Sequence, residues 1–442
     1  MRTPLENMKL FADRRQKLAG MMQGSALILS APEETIRNGS VHNSFRQDSN
    51  LYYLTGYEES GTIFVFRPGM TPETVMFVRK KDTERETWDG FRFGPDEAQK
   101  QFRMDKTYPI EDFSKEICGL LKGVDKLYYR FYKNAEMDTK IRETLLDLKV
   151  SQGRSGFGLL PVFDSDEFLG ELRVIKSEAD ILNHRRACEL TCEAHIETMK
   201  YVKPGMSERE VHGYFIYQIM KRGAAREGYG GIFASGANAC TLHYVFNDAT
   251  LKNNELLLVD AAGEHNYFTS DITRSYPING KFTDAQAQVY EGVLKVQKTV
   301  ISMVKPGLPF QEMHDTASSM LTDLMLDLGL LSGRKDDIMK SGQHKKYYPH
   351  GIGHFLGMDV HDSGLYFNKK SGESRKIEAG MVFTVEPGLY IPANDHAASA
   401  EYRGIGIRIE DNILVTHNGH ENMTQRCPKE IADLERTVGY KN

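Results

Sequence analysis

The chain has 442 residues, 40% of them hydrophobic, and carries 56 Lys and Arg against 61 Asp and Glu for a formal charge of −5. That length exceeds one ordinary hydrophobic core and predicts two or three domains. Charges of both signs are interspersed with no basic stripe, which excludes nucleic acid as a partner. The N-terminal MRTPLENMKLFADRRQKLAGMMQG reads as a polar amphipathic helix without the apolar core of a signal peptide. No later run is long enough to span a bilayer, so no membrane partner and a cytoplasmic location are expected. The five cysteines, Cys118, Cys188, Cys192, Cys240 and Cys427, are odd in number, sparse and free of CxxC spacing, and read as reduced packing residues.

Up to about residue 172, short β-type runs (SALILSA, LYYLTG, GTIFVFRPG, TVMFVRK, KLYYRFY) alternate with helical patterns such as KNAEMDTKIRETLLDLKV, the signature of an α/β domain. The Gly-rich SQGRSGFG and the extended LLPVFD precede a long helical pattern opening at Ser177. The boundary is therefore placed at 172, giving domains 1–172 and 173–442. The second contains a faint duplication, VKPGMSEREVH at 202–212 and VKPGLPFQEMH at 304–314. Each copy follows a long amphipathic helix that opens on a capping-box pattern, SEAD at Ser177 and TDAQ at Thr283. Two pseudo-symmetric halves around a shared sheet, with the site between them, are expected.

ELLLVDAAG ends a buried run in Asp260, and YFTSDITRSY carries Asp271, a pattern read as a buried β-hairpin with inward carboxylates. MVFTVEPGLYI places Glu386 at the end of another buried run. In GIGIRIEDNILV, Arg408 and Glu410 share the face opposite Ile405, Ile407 and Ile409. Any one of these acids alone reads as a salt-bridge partner, and Arg408 as its counter-charge. Four together would repel and take up protons unless cations neutralise them. PHGIGHFLGMDVHD adds His350, His354 and His361 beside glycines that let backbone approach a site. His243, in TLHY, reads equally as a site residue or a satisfied buried histidine. Four carboxylates and one imidazole favour manganese or magnesium over a thiolate zinc site, with cobalt, iron and zinc as alternatives. Two divalent ions match the four negative charges, which points to a two-metal hydrolase.

LVDAAGEHNYFTSDITRSYPINGKFT, PHGIGHFLGMDVHD, TVEPGLYI and YRGIGIRIEDNILV together resemble aminopeptidase P, of the pita-bread metallopeptidases. FRQDSNLYYLTGYEE and ETWDGFRFGPDEA are similar to the N-terminal module of that family. The resemblance implies an α/β N-terminal domain followed by an α+β pita-bread catalytic domain with a pseudo-two-fold duplication. It implies removal of the residue before a penultimate proline by a hydroxide held between two ions, manganese foremost. Asp260 would chelate one ion, Asp271 and Glu410 would bridge both, and His354 with Glu386 would complete the other. His243 and His361 would flank the scissile carbonyl and proline ring, with Glu386 shuttling the proton. His350 and Arg408 would support them, with Tyr229 and Tyr390 beside the site. Trp88, in TWDGFRFG, which reads as a polar loop, would line a neighbouring subunit's cleft, which implies a homodimer or homotetramer; the alternative is packing within its own subunit. The competing readings are prolidase, which shares the ligands but acts on dipeptides, and a non-catalytic peptide-binding relative. Methionine aminopeptidase is disfavoured by the long N-terminal domain, and creatinase by the full ligand set.

Overall fold

The computed structural model describes residues 8–156 and 158–439, so the first seven residues of the expected N-terminal helix lie outside the description. The described part of that helix is Met8–Met21. The chain divides into two compact units, residues 1–172 and 173–442.

The first unit is built on a mixed six-stranded sheet. Ser25–Ser30 pairs antiparallel with Ile63–Phe66 and parallel with Lys126–Tyr128. Thr74–Val78 runs antiparallel to Ile63–Phe66 and carries Lys106–Pro109 parallel at one edge, while Val162–Phe163 closes the other. The all-apolar strand IFVF is buried at every position, as a central strand covered on both faces must be. Two readings are corrected here. LYYLTG is not a strand: Ser49–Thr55 is a helix, because the Asp48 side chain accepts the Leu51 amide as its N-cap and Gly56, at φ 70°, ends it. A short apolar run buried all round carries no period that separates strand from helix. TWDGFRFG is not simply a loop either, since Asp82 caps a helix over Thr83–Asp89 with Trp88 inside it.

In the second unit, both capping boxes form. Ser177 and Asp180 start the helix Glu178–Tyr201, and Thr283 and Gln286 start Asp284–Met303. Each VKPG turn leads into a further helix, Glu208–Lys221 and Phe310–Asp327. Strands then follow in each half. In the first, Ile232–Ser235, Leu256–Asp260 and Thr273–Pro277 form an antiparallel sheet. In the second, Val382–Val385, Asp411–Thr416 and Gly419–Asn422 do the same, with the ribbon Gly388–Tyr390 and Gly406–Arg408 alongside. The halves are stitched at the centre. The Glu410 amide donates to the Thr273 carbonyl, and Ser275 Oγ exchanges hydrogen bonds with the Arg408 backbone.

The simple hairpin expected around Asp260 and Asp271 is corrected as well. Asp260 does oppose Thr273 in the ladder. The intervening residues, however, make their own hairpin, Gly263–His265 with Phe268–Thr269, paired to Arg226–Glu227 in another sheet. Asn266 and Tyr267, both at positive φ, form its two-residue turn. GIGIRIEDNILV is likewise two strands, 406–408 and 411–416, with Glu410 in the break between them. All five cysteines are free thiols, and no described helix is long and apolar enough to cross a membrane.

Candidate active site

Strand ends aim the acids inward. Asp260 is the last residue of its strand, Asp271 lies two residues before the next, and Glu386 follows Val382–Val385 directly. These three, with Glu410, His354, His243, His350, His361, Arg408 and Tyr229, line one cavity of about 500 Å³ in the second unit. Its apolar wall is Ile232, Leu242, Val245 and Val360. Tyr390 is buried behind the lining, and Trp88 belongs to the first unit, where it is 84% exposed. That exposure rules out the packing of Trp88 within its own unit. His243, which the sequence left open as a buried histidine, is exposed.

Asp271, His354 and Glu410 each offer a ligand atom within 4.8 Å of the others. His354 Nε2 lies 3.3 Å from Asp271 Oδ2 and 3.5 Å from Glu386 Oε1. The Tyr229 hydroxyl is 2.6 Å from Asp260 Oδ1 and also reaches Asp271 Oδ1. Burial first, and mutual repulsion second, push the Glu410 carboxyl well above the carboxylate range. Asp271 is raised by burial against the opposing pull of His354, and Glu386 is pushed up to about 7. Burial alone would lower the His354 imidazole, but the Asp271 hydrogen bond and the Glu386 charge carry it up to about 9. Glu410 Oε1 is buried with no hydrogen-bond partner among the described residues. Crowded acids that resist ionising, with an orphaned carboxylate oxygen in their midst, are what a site built for divalent cations looks like without its charges neutralised. The oxygen-rich donor set with one imidazole fits such ions.

Arg408 organises the far wall. It is 4% exposed, pairs with Asp260 Oδ2 through Nη2, and donates from Nη1 to the Tyr390 hydroxyl at 3.0 Å and from Nε to Thr273 Oγ1 at 3.2 Å. Since Arg408 fills the Tyr390 oxygen as acceptor, the tyrosine proton goes to His350 Nε2 at 2.8 Å, while His350 Nδ1–H donates to the Gly351 carbonyl. Burial, then the Arg408 charge, hold His350 down to about 3, so it is neutral. His361 stacks edge-on against His354, centroids 4.4 Å apart, and its pKa is lowered by burial and the His354 charge.

Several supporting residues escape a reading of the sequence. Thr273 Oγ1 donates to Glu410 Oε2 at 2.6 Å, and Thr384 Oγ1 donates to Glu386 Oε1 at 3.1 Å while accepting the His354 amide. Asn412 bonds both the amide and the carbonyl of Asp271. Glu208, fully buried, accepts from Ser235 N and Oγ, Asn238 Nδ2, Tyr244 Oη and Ala249 N, and so ties down the loop carrying His243. Glu208 lies in the first VKPG repeat, but the acid that repeat shares with the second copy is Glu210, opposite Glu312, so the repeat did not single Glu208 out.

Residues 183–417 match the model of metallopeptidase family M24, and residues 11–128 match that of the aminopeptidase P N-terminal domain. The chain is 36% identical to the Xaa-Pro aminopeptidase of Haemophilus influenzae over 97% of each chain, and 35% identical to that of Escherichia coli over 96% of each. Among solved structures, aminopeptidase PepP of Pseudomonas aeruginosa superimposes with a TM-score of 0.93 at 38% identity, covering 99% of this chain and 98% of its own. A zinc-substituted Escherichia coli aminopeptidase P in complex with product matches with a TM-score of 0.93 at 33% identity, over 98% and 99%. With a pita-bread catalytic unit, the N-terminal module and this cluster of acids and imidazoles in one chain, the protein belongs to the aminopeptidase P family of M24 metallopeptidases.

Proposed function

We propose that the chain releases the N-terminal residue from peptides whose second residue is proline, with Asp260, Asp271, His354, Glu386 and Glu410 holding two divalent ions, manganese foremost. The observation that carries this reading is the convergence of all five side chains on one cavity in a chain related to aminopeptidase P along nearly its whole length. When bound, the ions supply a water activated at neutral pH and a Lewis acid for the carbonyl.

The protein's residues do the rest. Arg408 fixes the Asp260 carboxylate and, through Tyr390, the neutral His350. His243 and His361, exposed at the cavity wall, are placed to donate to the oxygen of the scissile carbonyl as negative charge develops there. An Xaa-Pro bond is a tertiary amide, so its nitrogen must be protonated as it leaves. Glu386, oriented by Thr384, is the residue proposed to carry that proton. Ile232, Leu242, Val245 and Val360 offer apolar surface to the first side chain and the proline ring. The exposure of Trp88 and of Phe91, 54%, suits a partner subunit, in keeping with a homodimer or homotetramer working in the cytoplasm.

The test is hydrolysis of an Xaa-Pro dipeptide and of Arg-Pro-Pro by metal-stripped protein before and after adding manganese. Manganese-dependent cleavage of the tripeptide is expected. Cleavage of the dipeptide alone would reassign the chain as a prolidase, and cleavage of neither would leave a peptide-binding protein.

A further inference from the structure

His361 reaches the cavity from a tight loop, residues 355–362, whose ends are joined where the Asp362 amide donates to the Phe355 carbonyl at 2.9 Å. The same carbonyl accepts His354 Nδ1–H at 3.1 Å, which leaves Nε2 to face the acids. Asp362, the residue after His361, is turned into the protein. Its side chain is 1% exposed and both carboxylate oxygens are taken, Oδ1 by Arg173 Nη2 and Oδ2 by Lys176 Nζ at 3.1 Å. The two cations stand at the start of the second unit, and their side chains are 3% and 2% exposed. Arg173 Nη2 also donates to Asp359 Oδ2 at 2.7 Å, and so catches the loop again two residues before His361.

The loop is shaped around this carboxylate. A Cβ on Gly357 would lie 1.9 Å from Asp362 Oδ2, so no side chain fits there. Backbone bonds fix the outer turn, from Gly357 N to Asp359 O and from Thr269 N to Gly357 O, each at 3.1 Å. Burying an aspartate with an arginine and a lysine costs desolvation that an apolar filling of the same volume would avoid, so stability alone is a poor reason for the cluster. What the charges add is direction. A carboxylate gripped at both oxygens has one orientation, and it fixes the backbone from which the His361 side chain starts.

We infer that Asp362 is a positioning residue for the reaction, clamped by Arg173 and Lys176 so that His361 stands at a fixed point beside His354 and the scissile carbonyl. The inference rests on the peptidase reading above and on His361 donating to the carbonyl oxygen. With its ring centroid 4.4 Å from that of His354, His361 holds a relation to the reacting centre that a shift of about 1 Å would spoil.

The test is a double-mutant cycle of Asp362→Asn, His361→Ala and the double variant, assayed as manganese-loaded protein on Arg-Pro-Pro with metal content measured for each. Asp362→Asn should lower kcat about ten- to a hundredfold with KM within about twofold, because His361 acts on charge that develops in the transition state. In the His361→Ala background the same substitution should change kcat less than about twofold. An equal factor in both backgrounds, or a loss of activity that follows a loss of metal, would overturn the inference, since a merely structural role does not depend on His361. Should Asp362→Asn not fold, Arg173→Gln takes its place in the cycle with the same expectation. A second readout needs no activity. In protein loaded with diamagnetic zinc, the nitrogen-15 signals of the His361 ring, identified by their loss in His361→Ala, should shift or split when the clamp is broken. Were wild type to cleave nothing, or His361→Ala to match wild type, the functional reading would fall and these signals would decide the clamp by themselves. Shifted or split signals sustain it, and unchanged signals remove it.

Discussion

Arg274 sits beneath the acid cluster with every guanidinium N–H committed. Nε donates to Pro428 O at 3.0 Å, Nη1 to Thr273 O and Glu410 O at 2.9 and 2.6 Å, and Nη2 to Cys427 O and Asp411 Oδ1 at 3.1 and 2.7 Å. Both partners of the Arg274–Asp411 pair are wholly buried. Burial would raise the Asp411 carboxyl, but Arg274 and Lys429 hold it below the carboxylate range. Arg274→Met leaves that carboxylate with Lys429 as its remaining cation and strips four carbonyls of a donor. Breaking one side of a buried pair costs about 3–5 kcal/mol. For a catalytic unit of roughly 270 residues, the usual unfolding entropy converts this to a Tm drop of about 6–10 °C. Arg274→Lys, which keeps the charge but not the fork, should fall between. The assay is thermal unfolding of metal-stripped protein at neutral pH, followed by metal titration. Manganese affinity should weaken in the Met variant, since two of the lost bonds fix the backbone at Thr273 and Glu410. A Tm within about 2 °C of wild type for Arg274→Met, on the same conversion, would refute the reasoning.

Acid should destabilise the fold through two buried histidines. Burial, then the Lys176 charge, hold His184 down to about 3; burial, with the Arg274 charge also opposing protonation, holds His195 down to about 4 despite its hydrogen bond to Ala261 O. Unfolded imidazoles take their protons near pH 6.5, so below that value the unfolded state binds more protons and stability falls with pH, by about 1.4 kcal/mol per unit for each. Urea denaturation between pH 6.5 and 4.5 should show His184→Gln less pH-sensitive than wild type by about that slope, and equal slopes would count against it. Asp271→Asn should abolish turnover and release at least one metal ion, by elemental analysis, with little change in circular dichroism. Wild-type activity in that variant would sink the two-metal assignment. Glu208→Ala removes the acceptor of five donors, of which Tyr244 Oη keeps Asp248 Oδ1 at 3.1 Å, and should speed proteolysis of the 236–249 loop and lower kcat/KM at least about tenfold, with metal content unchanged. A variant that loses metal instead would show that Glu208 supports the cluster and not the loop.

Much of the catalytic unit was legible along the chain because its chemistry conflicts with its surroundings. Asp260, Asp271, Glu386 and Glu410 stand in or beside apolar strand patterns where a lone charge has no reason to be, and the structure places all four on one cavity. Helix starts at Ser177 and Thr283 were equally plain, since a capping box is local and needs no tertiary partner. Local signals failed where burial overrides period. LYYLTG became a helix because Asp48 and Gly56 bracket it, and the Asp260–Asp271 hairpin took in a second hairpin because residues 263–269 found another sheet.

What only tertiary structure decided is the arrangement that depends on residues far apart in the chain. Thr273, Thr384, Asn412 and Arg274 carry no unusual pattern, yet each orients a carboxylate or the backbone that bears it. A sequence by itself specifies which groups are too costly to bury alone. Which partners meet that cost is settled when the chain closes on itself, because hydrogen bonds act over about 3 Å and contiguity along the chain says little about contact at that range.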